Sequence, residues 1–129
     1  MDLVAPQKIV LLVDDDTEFT ASLSPKFESA GFAVHVAITG KEALDYIKDN
    51  PVDFIILDFV MPEMDGLKFY HTLKHDMRKN IPTIILTNFS GNQETEDLEV
   101  YVKSETDLDQ LVAKIKNRFS PRQPLHKFV

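Results

Sequence analysis

Six side chains in this sequence are of types that act together on hard cations and phosphoryl groups. They are Asp14, Asp15 and Asp16 in "LLVDDD", Asp58 in "FIILDFVMPEMDG", Thr87 in "IILTN" and Lys103 in "YVKS". Each follows or ends an apolar run. A cluster of carboxylates at close range repels itself and needs a compensating cation, and an all-oxygen ligand set at an open site suits Mg²⁺. A hydroxyl and an ammonium beside a metal-bound carboxylate supply what a phosphoryl group requires: donors and positive charge for its equatorial oxygens. Taken singly, each residue has a plainer reading. Asp58 alone is as well read as a helix cap or loop residue, Thr87 as a strand-end hydroxyl, and Lys103 as an edge-strand charge that discourages aggregation.

The chemistry therefore depends on whether the chain folds these positions together. "KIVLLV" (8–13), "DFIILD" (53–58) and "TIILT" (83–87) are continuous Ile, Val and Leu runs, as strands buried on both faces require. "AVHVA" (33–37) and "LEVYVK" (98–103) alternate, which places them at sheet edges. Helical periodicity fills the gaps: Phe19, Leu23, Phe27 and Ala30; Ala43, Leu44 and Ile47, opened by a Thr39-Gly40-Lys41-Glu42 capping-box pattern; Leu67, Tyr70, Leu73 and Met77; and Leu108, Leu111, Val112, Ile115 and Phe119 after Thr106 as N-cap. Strands alternating with helices predict an α/β fold, a flavodoxin-like three-layer sandwich around a five-stranded parallel sheet of order 2-1-3-4-5. In such a sheet the ligand crevice lies at the carboxyl ends of the strands, where all six residues fall.

Composition narrows the alternatives. The 129 residues suit one domain: an N-terminal extension (1–7), a folded unit (8–119) and a short polar tail (120–129), with no output domain expected after it. There is no cysteine, which excludes disulfides and thiolate chemistry and fits a cytoplasmic setting. No apolar run approaches the length of a membrane span, and a net charge of −7 with scattered Lys and Arg argues against direct nucleic-acid binding. The four histidines do not point to a metal site, and Met61 and Met64 are read as packing residues.

The four motifs together, "LLVDDD", "ILDFVMPEMDG", "IILTN" and "YVKS", resemble those of the response-regulator receiver domain of two-component signalling, over roughly residues 8 to 119. The resemblance implies that Asp58 is the phosphoacceptor, taking a phosphoryl group from a phosphohistidine on a histidine kinase or histidine phosphotransfer protein. It implies Mg²⁺ held by Asp15, Asp58 and the backbone carbonyl of Val60, with Asp14 acting mainly through a metal-bound water. Thr87 and Lys103 would contact phosphoryl oxygens. Asp16 matches no ligand position and is read as capping or preceding the first helix. The chain would then be a stand-alone phosphoacceptor rather than an enzyme, catalysing only its own phosphorylation and dephosphorylation.

Several positions depart from the family pattern. Thr87 and Lys103 stand 16 positions apart, about six fewer than usual, an interval that shortens the fourth helix to about one turn or deletes it. The apolar face so uncovered would need a collapsed loop, a constitutive partner or a second copy of the chain. Ser104 replaces the proline usual after the lysine, which removes the expectation of a cis peptide there. Val100 occupies the switch-aromatic position, with Tyr101 on the opposite face. Asn88 is bulkier than usual and narrows access to Asp58. Val60 and Phe89, both apolar, flank the approach of a hydrolytic water, which favours a long-lived phosphorylated state. Pro25 falls inside the first helical pattern and is expected to kink or divide it.

Two other functions compete with the phosphoacceptor reading. One is a receiver-like interaction module that works without phosphorylation. The other is a hydrolase of the haloacid-dehalogenase type using Asp14-x-Asp16, for which no later acidic metal motif is evident.

Overall fold

The computed structural model describes residues 7–88 and 98–119. Five parallel strands, β1 (Ile9–Val13), β2 (Ala33–Ala37), β3 (Phe54–Leu57), β4 (Thr83–Thr87) and β5 (Glu99–Val102), form one sheet of order β2-β1-β3-β4-β5, the order expected. Among the described residues, four α-helices accompany them: α1 (Thr17–Ser29), α2 (Gly40–Asp49), α3 (Gly66–His71) and α4 (Leu108–Arg118). The interval expected to hold a lost or reduced fourth helix falls between β4 and β5. Most of that connection, 89–97, lies outside the described residues, as do Phe89 and the Ser90-Gly91-Asn92 turn.

The period of two along each central strand divides the core in half. Leu11, Val13, Ile55, Leu57 and Ile85 face one side, where they meet Ala43, Leu44 and Ile47 of α2 and Phe69 of α3. Val10, Leu12, Phe54, Ile56, Ile84 and Leu86 face the other, against Leu23 and Phe27 of α1 and Leu111, Val112 and Ile115 of α4. Each fully buried side chain of this kind contributes about 1.5–3 kcal/mol. The edge strands are only partly buried, as their sequences implied. On β5, however, Val100 is exposed while Tyr101 packs on the α1–α4 side.

Helix ends follow side-chain capping. Asp16, Thr39 and Asp65 accept from the backbone amides of Phe19, Glu42 and Lys68 at 3.0, 3.0 and 2.8 Å. The expected cap at Thr106 is displaced by one: Asp107 accepts from Gln110 N at 3.1 Å, while the Thr106 hydroxyl donates to Val102 O at 2.7 Å. Thr106 ties the helix back to its strand instead. Helix α1 closes in a Schellman arrangement, with Gly31 N–H donating to Glu28 O and Phe32 N–H to Phe27 O, Gly31 at φ 99°, and the Phe27 and Phe32 rings in edge contact at 5.5 Å.

Two helical expectations hold only in part. Of the two outcomes expected at Pro25, division does not occur: α1 runs without interruption from Thr17 to Ser29. Pro25 is exposed, so the Ala21 carbonyl whose donor it removes lies where water can reach it. The third helical pattern is shorter than its apolar spacing suggested: after His71 the chain widens into a π-turn, Thr72–Asp76, with Met77 N–H donating to Thr72 O. Leu73 still reaches the core.

Candidate functional site

Strand register brings the acidic residues together. Val13 lies opposite Leu57, so the residues that follow, Asp14 and Asp58, leave adjacent strand ends side by side. Each is pinned by a backbone bond, Asp14 N–H to Ala37 O at 3.0 Å and Asp58 N–H to Val13 O at 2.9 Å. Thr87 ends β4 opposite Val102, and Lys103 begins the 3₁₀ turn that follows β5. The peptide bonds described are all trans, Lys103–Ser104 among them.

The turn after Asp58 is shaped by close packing. Gly66 N–H donates to Phe59 O at 2.9 Å, and a Cβ on Gly66 would meet the Asp58 carbonyl oxygen at 2.9 Å. Only glycine allows α3 to start that close to the strand end. Phe59 and Met61 are buried and Met64 covers Gly40, so both methionines pack, as expected.

The carboxylates of Asp14, Asp15 and Asp58 each offer an oxygen within 4.8 Å of the other two, with Asp15 exposed and the other two buried. Lys103 Nζ stands 2.7 Å from Asp14 Oδ2 and 3.9 Å from Asp58 Oδ2, its side chain only 6% exposed. The contact with Asp14 is an ion pair rather than an aligned hydrogen bond. Asp58 is 7% exposed. Burial, first, and the Asp14 charge, second, raise its carboxyl above the usual 3.8; Lys103, the Thr87 hydroxyl and the Val60 backbone pull the other way. An open pocket of about 390 Å³ lies over the group, lined by Asp15, Asp16, Asp58, Val60, Thr87, Asn88 and Lys103. Val60 is 62% exposed at its mouth.

The residues present fit a small hard cation. Three convergent carboxylates carry more negative charge than Lys103 offsets, and Asp58 Oδ1 is buried without a hydrogen-bond partner among the described residues. Such an oxygen is a ligand in waiting. Five of the six residues singled out by type line one strand-end pocket, and the sixth, Asp14, joins them through Lys103 and the carboxylate cluster. Asp16 lines it while its carboxylate caps α1. One neighbour escaped the sequence reading: Phe19, whose ring centroid is 4.2 Å from Lys103 Nζ. Its only signal was an aromatic in the first turn of the helix that starts at the acidic cluster.

Comparison with known proteins assigns the family. The model of the response regulator receiver domain matches residues 10–116. Among curated relatives, the transcriptional regulatory protein CrdR of Helicobacter pylori is 30% identical over 119 residues, covering 88% of this chain and 56% of the relative. The transcriptional regulatory protein PrrA of Mycobacterium tuberculosis is 34% identical over 121 residues, covering 90% and 52%. The chain thus spans about half the length of the curated relatives it matches. Among solved structures, the receiver domain of Francisella response regulator 1452 superposes with a TM-score of 0.74 at 30% identity, covering 88% of this chain and all of that one. The Thermotoga maritima response regulator TrrA, solved in complex with Mg²⁺ and BeF, superposes with a TM-score of 0.74 at 26% identity, over 86% and 98% of the two chains. With its fold, its strand-end acidic pocket and these relatives, the chain belongs to the response regulator receiver domain family.

Proposed function

We propose that this chain is a phosphorelay receiver in which Asp58 accepts a phosphoryl group from a phosphohistidine. The observation that carries the reading is the buried Asp58 carboxylate, clustered with those of Asp14 and Asp15 within 4.8 Å and with Lys103 Nζ at 3.9 Å. A carboxylate oxygen of Asp58 forms the new O–P bond as the P–N bond to histidine breaks, and the departing imidazole nitrogen takes up a proton. Asp14, Asp15, Asp58 and the Val60 carbonyl would hold Mg²⁺, which when bound supplies positive charge against the phosphoryl oxygens.

The chain's own groups do the rest. Thr87, buried at the end of β4, donates its hydroxyl to one phosphoryl oxygen. Lys103, 3.9 Å from Asp58 Oδ2, exchanges part of its contact with Asp14 for another phosphoryl oxygen. Upstream, a histidine kinase or histidine phosphotransfer protein delivers the group; downstream, a partner protein binds the modified surface in a phosphate-dependent way. Neither nucleic acid nor membrane is a direct target in this reading, and the setting is cytoplasmic. The test is intact-protein mass after incubation with Mg²⁺ and acetyl phosphate or phosphoramidate. Gain of one phosphoryl group in the wild type and none in Asp58→Asn supports the reading; no gain from either donor contradicts it.

A second reading, a receiver-like module that binds its partner without phosphorylation, draws on Tyr101. Its hydroxyl donates to Glu99 at 2.7 Å and accepts from Lys114 at 2.9 Å, while Arg118 closes on Glu99 at 2.7 Å. Tyr101 is thereby tied outside the route by which an aromatic at position 100 would switch. Light scattering of both forms separates the two readings: a second copy of the chain, or partner binding, that is indifferent to the phosphoryl group favours the second.

A further inference from the structure

A closed loop of four residues surrounds the Lys103 ammonium. Asp16 N–H donates to Asp14 Oδ1 at 2.9 Å, and Asp16 Oδ1 accepts from Phe19 N–H at 3.0 Å. The Phe19 ring then faces Lys103 Nζ at 4.2 Å from its centroid, and Lys103 returns to Asp14 Oδ2 at 2.7 Å. Nothing in the phosphoacceptor reading uses Phe19. Yet Nζ is buried and makes no aligned hydrogen bond among the described residues. A buried ammonium is costly unless paired, and here it has the Asp14 carboxylate at 2.7 Å, the Asp58 carboxylate at 3.9 Å and the negative face of an aromatic ring.

The carboxylates and the ring respond differently to a metal. A cation among Asp14, Asp15 and Asp58 draws on the same carboxylate charge that holds Lys103, so the ion pair weakens as the site loads. The ring does not bind the metal and keeps its hold. Its place is fixed independently, because the Asp16 cap sets the first turn of α1 and the Phe19 body packs on the α1–α4 half of the core.

We propose that Phe19 is a positioning residue for Lys103: its ring retains the ammonium at the pocket when Asp14 is engaged by the metal, keeping Nζ within reach of a phosphoryl group on Asp58. The inference rests on the phosphoacceptor reading for its purpose, but its physical content, the retention of Lys103, is measurable without any phosphoryl transfer. Asp16 gains a part in the same device, because the cap that starts α1 is what aims the ring.

The test uses the full chain with Mg²⁺ and the variants Phe19→Met and Phe19→Leu, which lack a π face, and Phe19→Tyr, which keeps one. Acetylation of Lys103 by a succinimidyl ester is followed by peptide mass spectrometry and normalised to the exposed Lys48. With Mg²⁺, Lys103 of the Met and Leu variants should label faster than wild type by about two- to thirty-fold, the range that a cation–π contact supplies. Phe19→Tyr should stay close to wild type, and the difference should shrink without Mg²⁺, when Asp14 still holds the ammonium. Having two aliphatic variants guards against one that fails to fold, which a melting curve reveals. Equal Lys103 labelling in wild type and Phe19→Met with Mg²⁺, or labelling of Phe19→Tyr as fast as Phe19→Met, overturns the proposal. A parallel rate of adduct formation from phosphoramidate separates the two failures: no Asp58-dependent adduct in the wild type removes the phosphoacceptor reading, whereas labelling alone decides the role of Phe19.

Discussion

Asp58 destabilises the metal-free protein, so Asp58→Asn should make it more stable. The charged carboxylate at this position is attracted by Lys103 at 3.9 Å and repelled by Asp14, whose carboxylate lies within 4.8 Å. At an effective dielectric near 20 the attraction is about 4 kcal/mol and the repulsion at least about 3.5 kcal/mol, so the two nearly cancel. What is left is the cost of burying a charged, incompletely hydrogen-bonded oxygen, about 1–3 kcal/mol. Asparagine keeps the shape and removes the charge, and Lys103 keeps Asp14 at 2.7 Å. The expected gain is therefore about 1–3 kcal/mol, roughly 4 °C in Tm per kcal/mol for a domain of this size. Urea unfolding in EDTA, followed by circular dichroism, measures it. The pH dependence has a definite sign. Because folding raises the Asp58 carboxyl above 3.8, the folded state binds more protons there than the unfolded state, and wild-type stability falls as pH rises through that window. The advantage of Asp58→Asn should therefore vanish below about pH 4 and reach its full size above the raised value. Mg²⁺ should reverse the order by stabilising the wild type, by about 4.1 kcal/mol at a thousand times its dissociation constant. A variant less stable than wild type in EDTA at neutral pH, or a difference independent of pH, would refute the reasoning.

Three further outcomes are expected. Pro25→Ala should stabilise the fold by about 1–3 kcal/mol, since it restores a helical hydrogen bond at an exposed position, and a higher urea midpoint with an unchanged m-value would register it. Gly31→Ala should cost about 1–2 kcal/mol, because a left-handed φ of 99° penalises a Cβ even with no atom within 4 Å; an unchanged midpoint would show that the helix end relaxes. Val60→Glu, at the open mouth of the pocket, should shorten the lifetime of the phosphorylated form several-fold by orienting a water, as read from the decay of the adduct mass in Mg²⁺. An equally slow decay would place control of hydrolysis elsewhere.

The central architecture was legible because buried parallel strands write themselves as uninterrupted Ile, Val and Leu runs, and the alternating runs marked the edges. The same runs located the site, since Asp14, Asp58 and Thr87 are the polar residues that stop them. Local competition was harder to read. Thr106 and Asp107 are both good caps, and only the backbone geometry after β5 decides that the hydroxyl turns back to Val102 while the carboxylate takes the helix. Periodicity likewise carried the third helix too far, because Leu73 and Met77 remain on the inward side through a π-turn that no residue type announces. Pro25 was read by its rule without the burial that decides the consequence. Phe19 was invisible for a different reason: it counted as one apolar residue in a helical stripe, and its contact with Lys103 spans 84 positions of sequence.

The most direct measurement is transfer from a purified protein carrying a phosphohistidine, with intact masses of donor and acceptor followed together. The chain should gain one phosphoryl group as the donor loses one, only in the presence of Mg²⁺, with EDTA stopping the exchange and Asp58→Asn abolishing it. Transfer that persists in Asp58→Asn, or a wild type that gains nothing from a donor shown to phosphorylate another receiver, would contradict the assignment of Asp58 as the phosphoacceptor.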